Sequence, residues 1–182
     1  ARGGGGATAI EYSDPASSVP APRADTGGSG NATNVNYGGA GTIYVKGPGS
    51  TWGDLTIDNT GRAGQPTELP ALGRGLAAGG TAGATLVTDR ATNVPSYFEG
   101  HWVEISTPAG VLKNTWRIAS VSGATLTLAP NGGEAVVVEP GDLWQGVYRF
   151  DTVQVKNGEP LRSADPIRIG PNGIVPLTRP TG

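Results

Sequence analysis

Apolar and polar residues alternate with a period of two along most of this chain, and the alternation breaks at glycines and prolines. Runs of this kind predict strands with one buried and one wet face. They cover ATAIEYS (Ala7 to Ser13), GTIYVKG (Gly41 to Gly47), GDLTIDN (Gly53 to Asn59), HWVEIS (His101 to Ser106), TWRIASV (Thr115 to Val121), ATLTLAP (Ala124 to Pro130), VYRFDTVQVKN (Val147 to Asn157) and PIRIG (Pro166 to Gly170). Windows with apolar residues at i, i+3, i+4 and i+7 are almost missing. Only LPALGRGLAAGG (Leu69 to Gly80) is a candidate for a helical turn, and each of its glycines costs about 1 kcal/mol in a helix interior. The predicted class is all-β.

Two styles of strand divide the chain. Residues 1–61 and 147–182 carry short, glycine-flanked strands joined by small polar loops. Residues 62–146 read as an inserted module with evenly spaced strands and turn signals between them, which suggests a small barrel or a curled meander. The outer parts contain either a weak internal repeat or two ordinary strand–turn junctions: Leu55-Thr56-Ile57-Asp58-Asn59 lines up with Val153-Gln154-Val155-Lys156-Asn157. Ile57 and Asn59 share one side of an extended strand, as do Val155 and Asn157, and an Asn at a strand end can bond the backbone of a tight turn. In VYRFDTVQVKN the large residues Tyr148 and Phe150 lie on one parity and Val153 and Val155 on the other. That flip predicts a bulge or a corner near Asp151-Thr152.

Composition sharpens the class. Gly 31 and Pro 15 in 182 residues give a turn-rich chain, yet the recurring apolar runs separate it from a disordered one. A formal charge of -2 with 15% charged residues leaves no basic footprint for nucleic acid or an anionic membrane. With no Cys, disulfides, thiolate metal sites and cysteine nucleophiles are excluded. A Cys-free chain suits an exported bacterial protein, although a Cys-poor cytosolic protein has the same composition. The chain starts at Ala1 without initiator Met, basic n-region or apolar h-region, so a processed or excised piece is expected, with any targeting signal outside it. No apolar run approaches the ~20 residues of a membrane span.

Several segments resemble a pattern in very large bacterial surface and secreted, adhesin-like proteins. GGGGATAIEYSD, GGAGTIYVK and GDLTIDN resemble their right-handed parallel β-helix regions, where glycine-rich connections join successive rungs. The LVTD, FEGHWVEI, TWRIASVSGATLTLAP and EPGDLWQGVYRF segments resemble a small β-barrel module inserted in such proteins. The resemblance runs from about Gly3 to Ile169. It implies a short parallel β-helix (solenoid) fragment interrupted by a barrel-like insertion, in an extracellular or cell-surface setting.

Reactive constellations are sparse. The single histidine, His101, shares parity with Val103 and Ile105, so it reads as a strand-start residue, and one His without Cys cannot build the usual zinc site. No Gly-x-Ser-x-Gly elbow accompanies it. GGGG and GGAG lack the Lys-Ser/Thr ending and the following helix of a phosphate loop. Asp54, Asp58, Asp89, Glu104, Asp142, Asp151 and Asp165 are the carboxylates nearest strands, as a sugar-cleaving enzyme would need. Asp142 in PGD and Asp165 before Pro166 instead suit turn residues that bond backbone. Loop Asp and Asn residues match no EF-hand or nonapeptide calcium coil. No catalytic residue, cofactor or metal is expected. Trp102, Trp52 and Trp144 are candidate glycan contacts, because an exposed indole face can stack on a sugar, whereas Trp116 shares parity with Ile118 and reads as core.

The sequence thus points to a non-enzymatic structural or adhesion module of a large bacterial extracellular protein. The alternative is a glycan-binding or polysaccharide-cleaving β-helix module. Expected partners are neighbouring domains and a surface glycan or protein, with no nucleic acid and no membrane insertion.

Overall fold

A computed structural model describes residues 5–19, 22, 39–58, 65–156 and 160–170. Among them are thirteen strands: β1 (Ala7–Glu11), β2 (Thr42–Lys46), β3 (Asp54–Asp58), β4 (Thr67–Leu69), β5 (Arg74–Leu76), β6 (Thr85–Val87), β7 (Trp102–Ser106), β8 (Leu112–Ser122), β9 (Thr125–Ala129), β10 (Leu143–Phe150), β11 (Thr152–Lys156), β12 (Leu161–Ser163) and β13 (Ile167–Ile169). The only helical element among the described residues is a 3-10 turn at Ser96–Phe98. The all-β class therefore holds. The expected helical turn over Leu69 to Gly80 is replaced by the end of β4 and by β5. Gly73 and Gly80 there adopt φ of 91° and 92°, which a helix does not admit.

The chain forms two compact units. The first takes residues up to Pro70, Arg149–Ser163 and residues from Ile167 onward; the second takes Ala71–Tyr148 and Ala164–Pro166.

In the first unit one sheet has the order β1-β2-β3-β11. β1 pairs β2 in parallel, β2 pairs β3 antiparallel, and β3 pairs β11 in parallel. β4 and β12 form a separate parallel pair, with Leu161 opposite Thr67. The sheets are thus mixed, not purely parallel. The internal repeat coincides with the observed register, since Leu55 lies opposite Val153 and Ile57 opposite Val155. Leu55 and Ile57 are buried because the period-2 pattern turns them to one face. Asn59 and Asn157, expected to close the turns after these strands, lie outside the described residues.

The flip at Asp151 is a corner at which the chain changes sheets. β10 ends at Phe150 and β11 begins at Thr152. Oδ2 of Asp151 accepts the backbone N–H groups of Thr51, Trp52 and Gly53 at 2.9, 3.1 and 2.9 Å, and its own N–H donates to Gly53 O. One carboxylate satisfies three turn amides that have no ladder partner there.

In the second unit β10, β7, β8, β9 and β6 follow one another antiparallel, and β5 pairs the start of β10. The sheet curls until its ends meet. Ala77 bridges Thr88, and Ala78 N–H donates to Val87 O. Bulges between Ile105 and Ser106 and between Ile118 and Ser120 supply curvature. The inner face carries Leu86, Val103, Ile105, Trp116, Ile118, Leu126, Leu128 and Trp144, which with Leu72, Phe98 and Val138 form one apolar cluster. Trp116 is core, as its parity indicates.

Candidate functional site

In the second unit a group of ionisable and aromatic side chains surrounds Asp165. This residue is buried, and its carboxylate accepts Leu72 N–H at 2.6 Å and Gly73 N–H at 2.9 Å. The bonding is to backbone, as a turn aspartate would give, but to amides more than 90 positions away. Gly146 completes the socket, because a Cβ at that position would lie 2.6 Å from both Asp165 Oδ2 and Leu72 Cβ. Nε2 of His101 stands 3.6 Å from Asp165 Oδ2, beyond hydrogen-bond distance, and among the described residues it has no hydrogen-bond partner. Phe98 and Tyr148 hold the imidazole edge-on, with ring centroids 5.2 and 4.4 Å away. Burial pushes the Tyr148 phenol well above its ordinary range, and the charge of Asp165 adds to the effect. Tyr97 packs its ring 4.8 Å from Phe98 and is 66% exposed.

A buried His–Asp pair can orient a base for nucleophilic catalysis when a nucleophile reaches the second ring nitrogen. Here Asp165 Oδ2 is committed to Leu72 N–H, and phenyl and phenol rings occupy the flanks of the imidazole. This geometry ties the Asp165 segment to the chain at Leu72 and Gly73.

Several other carboxylates are also engaged. Asp89 accepts Trp144 Nε1–H at 3.1 Å, and Asp54 accepts the Thr152 hydroxyl. Asp142 caps its own turn by accepting Glu139 N–H at 2.9 Å, and it accepts Lys113 Nζ at 2.9 Å. Hydrogen bonds to Asp142 and then to Glu139 raise the Lys113 ammonium above its ordinary value. Glu134 accepts the N–H groups of Asn131 and Gly132 and the indole N–H of Trp116, and the two backbone bonds lead in holding its carboxyl below the usual range. Among the described residues no group of three or more His, Cys, Asp or Glu side chains could hold a metal ion.

The three candidate glycan contacts fall in different environments. Trp144 is 2% exposed and turns inward, donating its indole N–H to Leu76 O at 3.2 Å as well as to Asp89. It therefore offers no face to a sugar; its parity with the inward Gly146 on β10 carries it into the core. Trp52 is half-buried, and the Arg149 guanidinium covers one ring face at 4.2 Å from the centroid. Trp102 is half-buried on the outer face of β7, in register with Val147 and Arg117. Trp102 and Trp144 thus lie on opposite faces of the second unit's sheet, and Trp52 belongs to the first unit.

Two residues along β7 from Trp102, the same outer face opens into a groove of about 540 Å³. Arg74, Gln145 and Glu104 form one row across β5, β10 and β7, and Leu76, Leu143 and Ser106 form the next. Sequence reading missed this surface. The parity of Trp102, Glu104 and Ser106 marks the β7 share of it, but the glycine-broken β5 has no strand signature. No protein-family model, curated protein or solved structure matches this chain.

Proposed function

We propose that this chain is a non-enzymatic structural module of a large bacterial extracellular or surface protein: a parallel β-coil interrupted by a small barrel. The observation that carries the reading is the spacing of the parallel pairs. Leu55 and Val153 face each other 98 positions apart, and removal of the 78 residues Ala71–Tyr148 leaves 20. The same removal reduces the 94 positions between Leu69 and Ser163 to 16. Gly170 N–H donates to Phe150 O, again 20 positions earlier. A coil of about 16–20 residues per turn places like positions above one another in this way, with the barrel spliced in at one corner and apolar residues stacking rung on rung. In this reading the parallel pair β1–β2, antiparallel to β3, covers one end of the stack.

The functional test combines a glycan array with a reducing-sugar assay on several polysaccharides. The structural reading expects neither turnover nor saturable binding. Turnover of any polysaccharide would overturn it, and saturable glycan binding abolished by Trp102→Ala would replace it with the glycan-binding reading. Register is tested by the pair Thr56→Cys and Gln154→Cys, which lie opposite in the parallel ladder of a chain without native cysteine. Ready oxidation to an intramolecular disulfide is expected, and its absence would refute the stacked rungs.

A further inference from the structure

We propose that the outer face of β5, β10 and β7 is an interface through which two copies of this chain associate, about a two-fold axis running along β10. This goes beyond the structural role above, which requires no self-association.

Among the described residues five large apolar side chains are strongly exposed, and two of them belong to this one surface: Leu76, 50% exposed, lines the groove, and Leu112, 56% exposed, lies in register with Ser106. Clustered exposure of this kind marks a contact surface more than scattered apolar residues do. What selects a second copy as the occupant is the registry of the rows. Gln145 has Arg74 on one side and Glu104 on the other, and Leu143 has Leu76 on one side and Ser106 on the other. Neighbouring strands are about 4.8 Å apart, so each flanking residue lies one spacing from β10 in opposite directions.

A two-fold axis in the interface plane along β10 keeps position along the strand and exchanges the two sides. It sets Arg74 of each copy against the partner's Glu104, so two opposite-charge contacts form at once. It sets Leu76 against the partner's Ser106, the one small side chain in a row that continues through Leu112. A protruding leucine thus meets a notch floored by Ser106 and walled by Leu143 and Leu112. Gln145 and Leu143 meet their own counterparts on the axis. Self-complementarity of this kind is what an isologous interface requires, and a partner unrelated to this chain would have no reason to match it.

Sedimentation velocity of the whole chain between about 1 and 200 μM tests this, with a reversible monomer–dimer equilibrium expected in that affinity range. Arg74→Glu alone and Glu104→Arg alone are each expected to weaken association by at least about tenfold, because each sets two like-charge contacts across the axis. The double variant Arg74→Glu with Glu104→Arg re-forms both pairs with their signs exchanged. Its affinity is expected to return to within about threefold of the parent, a recovery that damage to the fold would not give. Gln145→Cys, the only thiol in such a chain, is expected to form a disulfide-linked dimer. A chain that stays monomeric throughout would overturn the proposal. So would association unmoved by Leu76→Glu, or a double variant as weak as either single one.

Discussion

Asp165 and Asp151 perform the same task with different burial, and the contrast predicts which one the fold depends on. Asp151 accepts three backbone N–H groups and Asp165 accepts two, so a count of bonds would rank Asp151 first. Burial reverses the order. Asp165 is 2% exposed, and its bond from Leu72 N–H is itself buried, whereas the Thr51 bond to Asp151 is exposed and the other two are only partly covered. In Asp165→Ala the buried Leu72 amide loses its acceptor where water does not readily replace it, at about 1–3 kcal/mol, and the partly covered Gly73 amide adds about 1 kcal/mol, or about 2–4 kcal/mol together. In Asp151→Ala water takes over much of the bonding, and the loss is about 1–2 kcal/mol in all. With a urea m-value of about 2 kcal/mol/M, the midpoint falls by about 1–2 M for the first variant and by less than about 1 M for the second. Urea titrations followed by tryptophan fluorescence measure both. The Leu72 amide proton serves as a local check, moving upfield when its charged acceptor is removed. A larger loss for Asp151→Ala than for Asp165→Ala would refute the reasoning.

Three further outcomes follow from other contacts. Gly146→Ala places a methyl group 2.6 Å from Asp165 Oδ2 and Leu72 Cβ, and is expected to cost about 1–3 kcal/mol in urea unfolding; a neutral result would mean that the socket yields freely. The depressed Glu134 carboxyl contributes stability that is present above the ordinary unfolded glutamate value of about 4.3 and is lost as pH falls through its lower folded value. Acid unfolding followed at the Trp116 indole N–H is expected to lose this component in Glu134→Gln, and an unchanged profile would refute it. Lys113→Met removes the ammonium that faces the buried Asp142 and is expected to destabilise more than Glu139→Gln, since Glu139 is 69% exposed on its side chain. Equal losses in thermal unfolding would show that burial of Asp142 is immaterial.

The alternation of DLTID, WVEIS and TLTLA determined strand class and inward faces on its own, because a period of two leaves an extended chain only one way to bury its apolar residues. Sequence self-similarity went further: aligning Leu55 with Val153 anticipates the observed parallel register, since two segments with the same face requirement stack without slippage. The change of parity at Asp151 likewise marked the corner. What sequence could not decide is everything set by distant partners. β2 is antiparallel to β3 although both carry the same pattern, because alternation specifies a face and not a direction. Trp52, Trp102 and Trp144 look alike in the chain, yet one lies under an arginine, one on an outer face and one in the core. Asp165 reads as an ordinary residue before proline, and only tertiary structure brings it to Leu72, Gly73 and Gly146, because the amides it satisfies are separated from it by most of a domain. The row Arg74–Gln145–Glu104 exists only once β5, β10 and β7 are in register, since local patterning acts within a strand and hydrogen bonding between strands places such residues side by side.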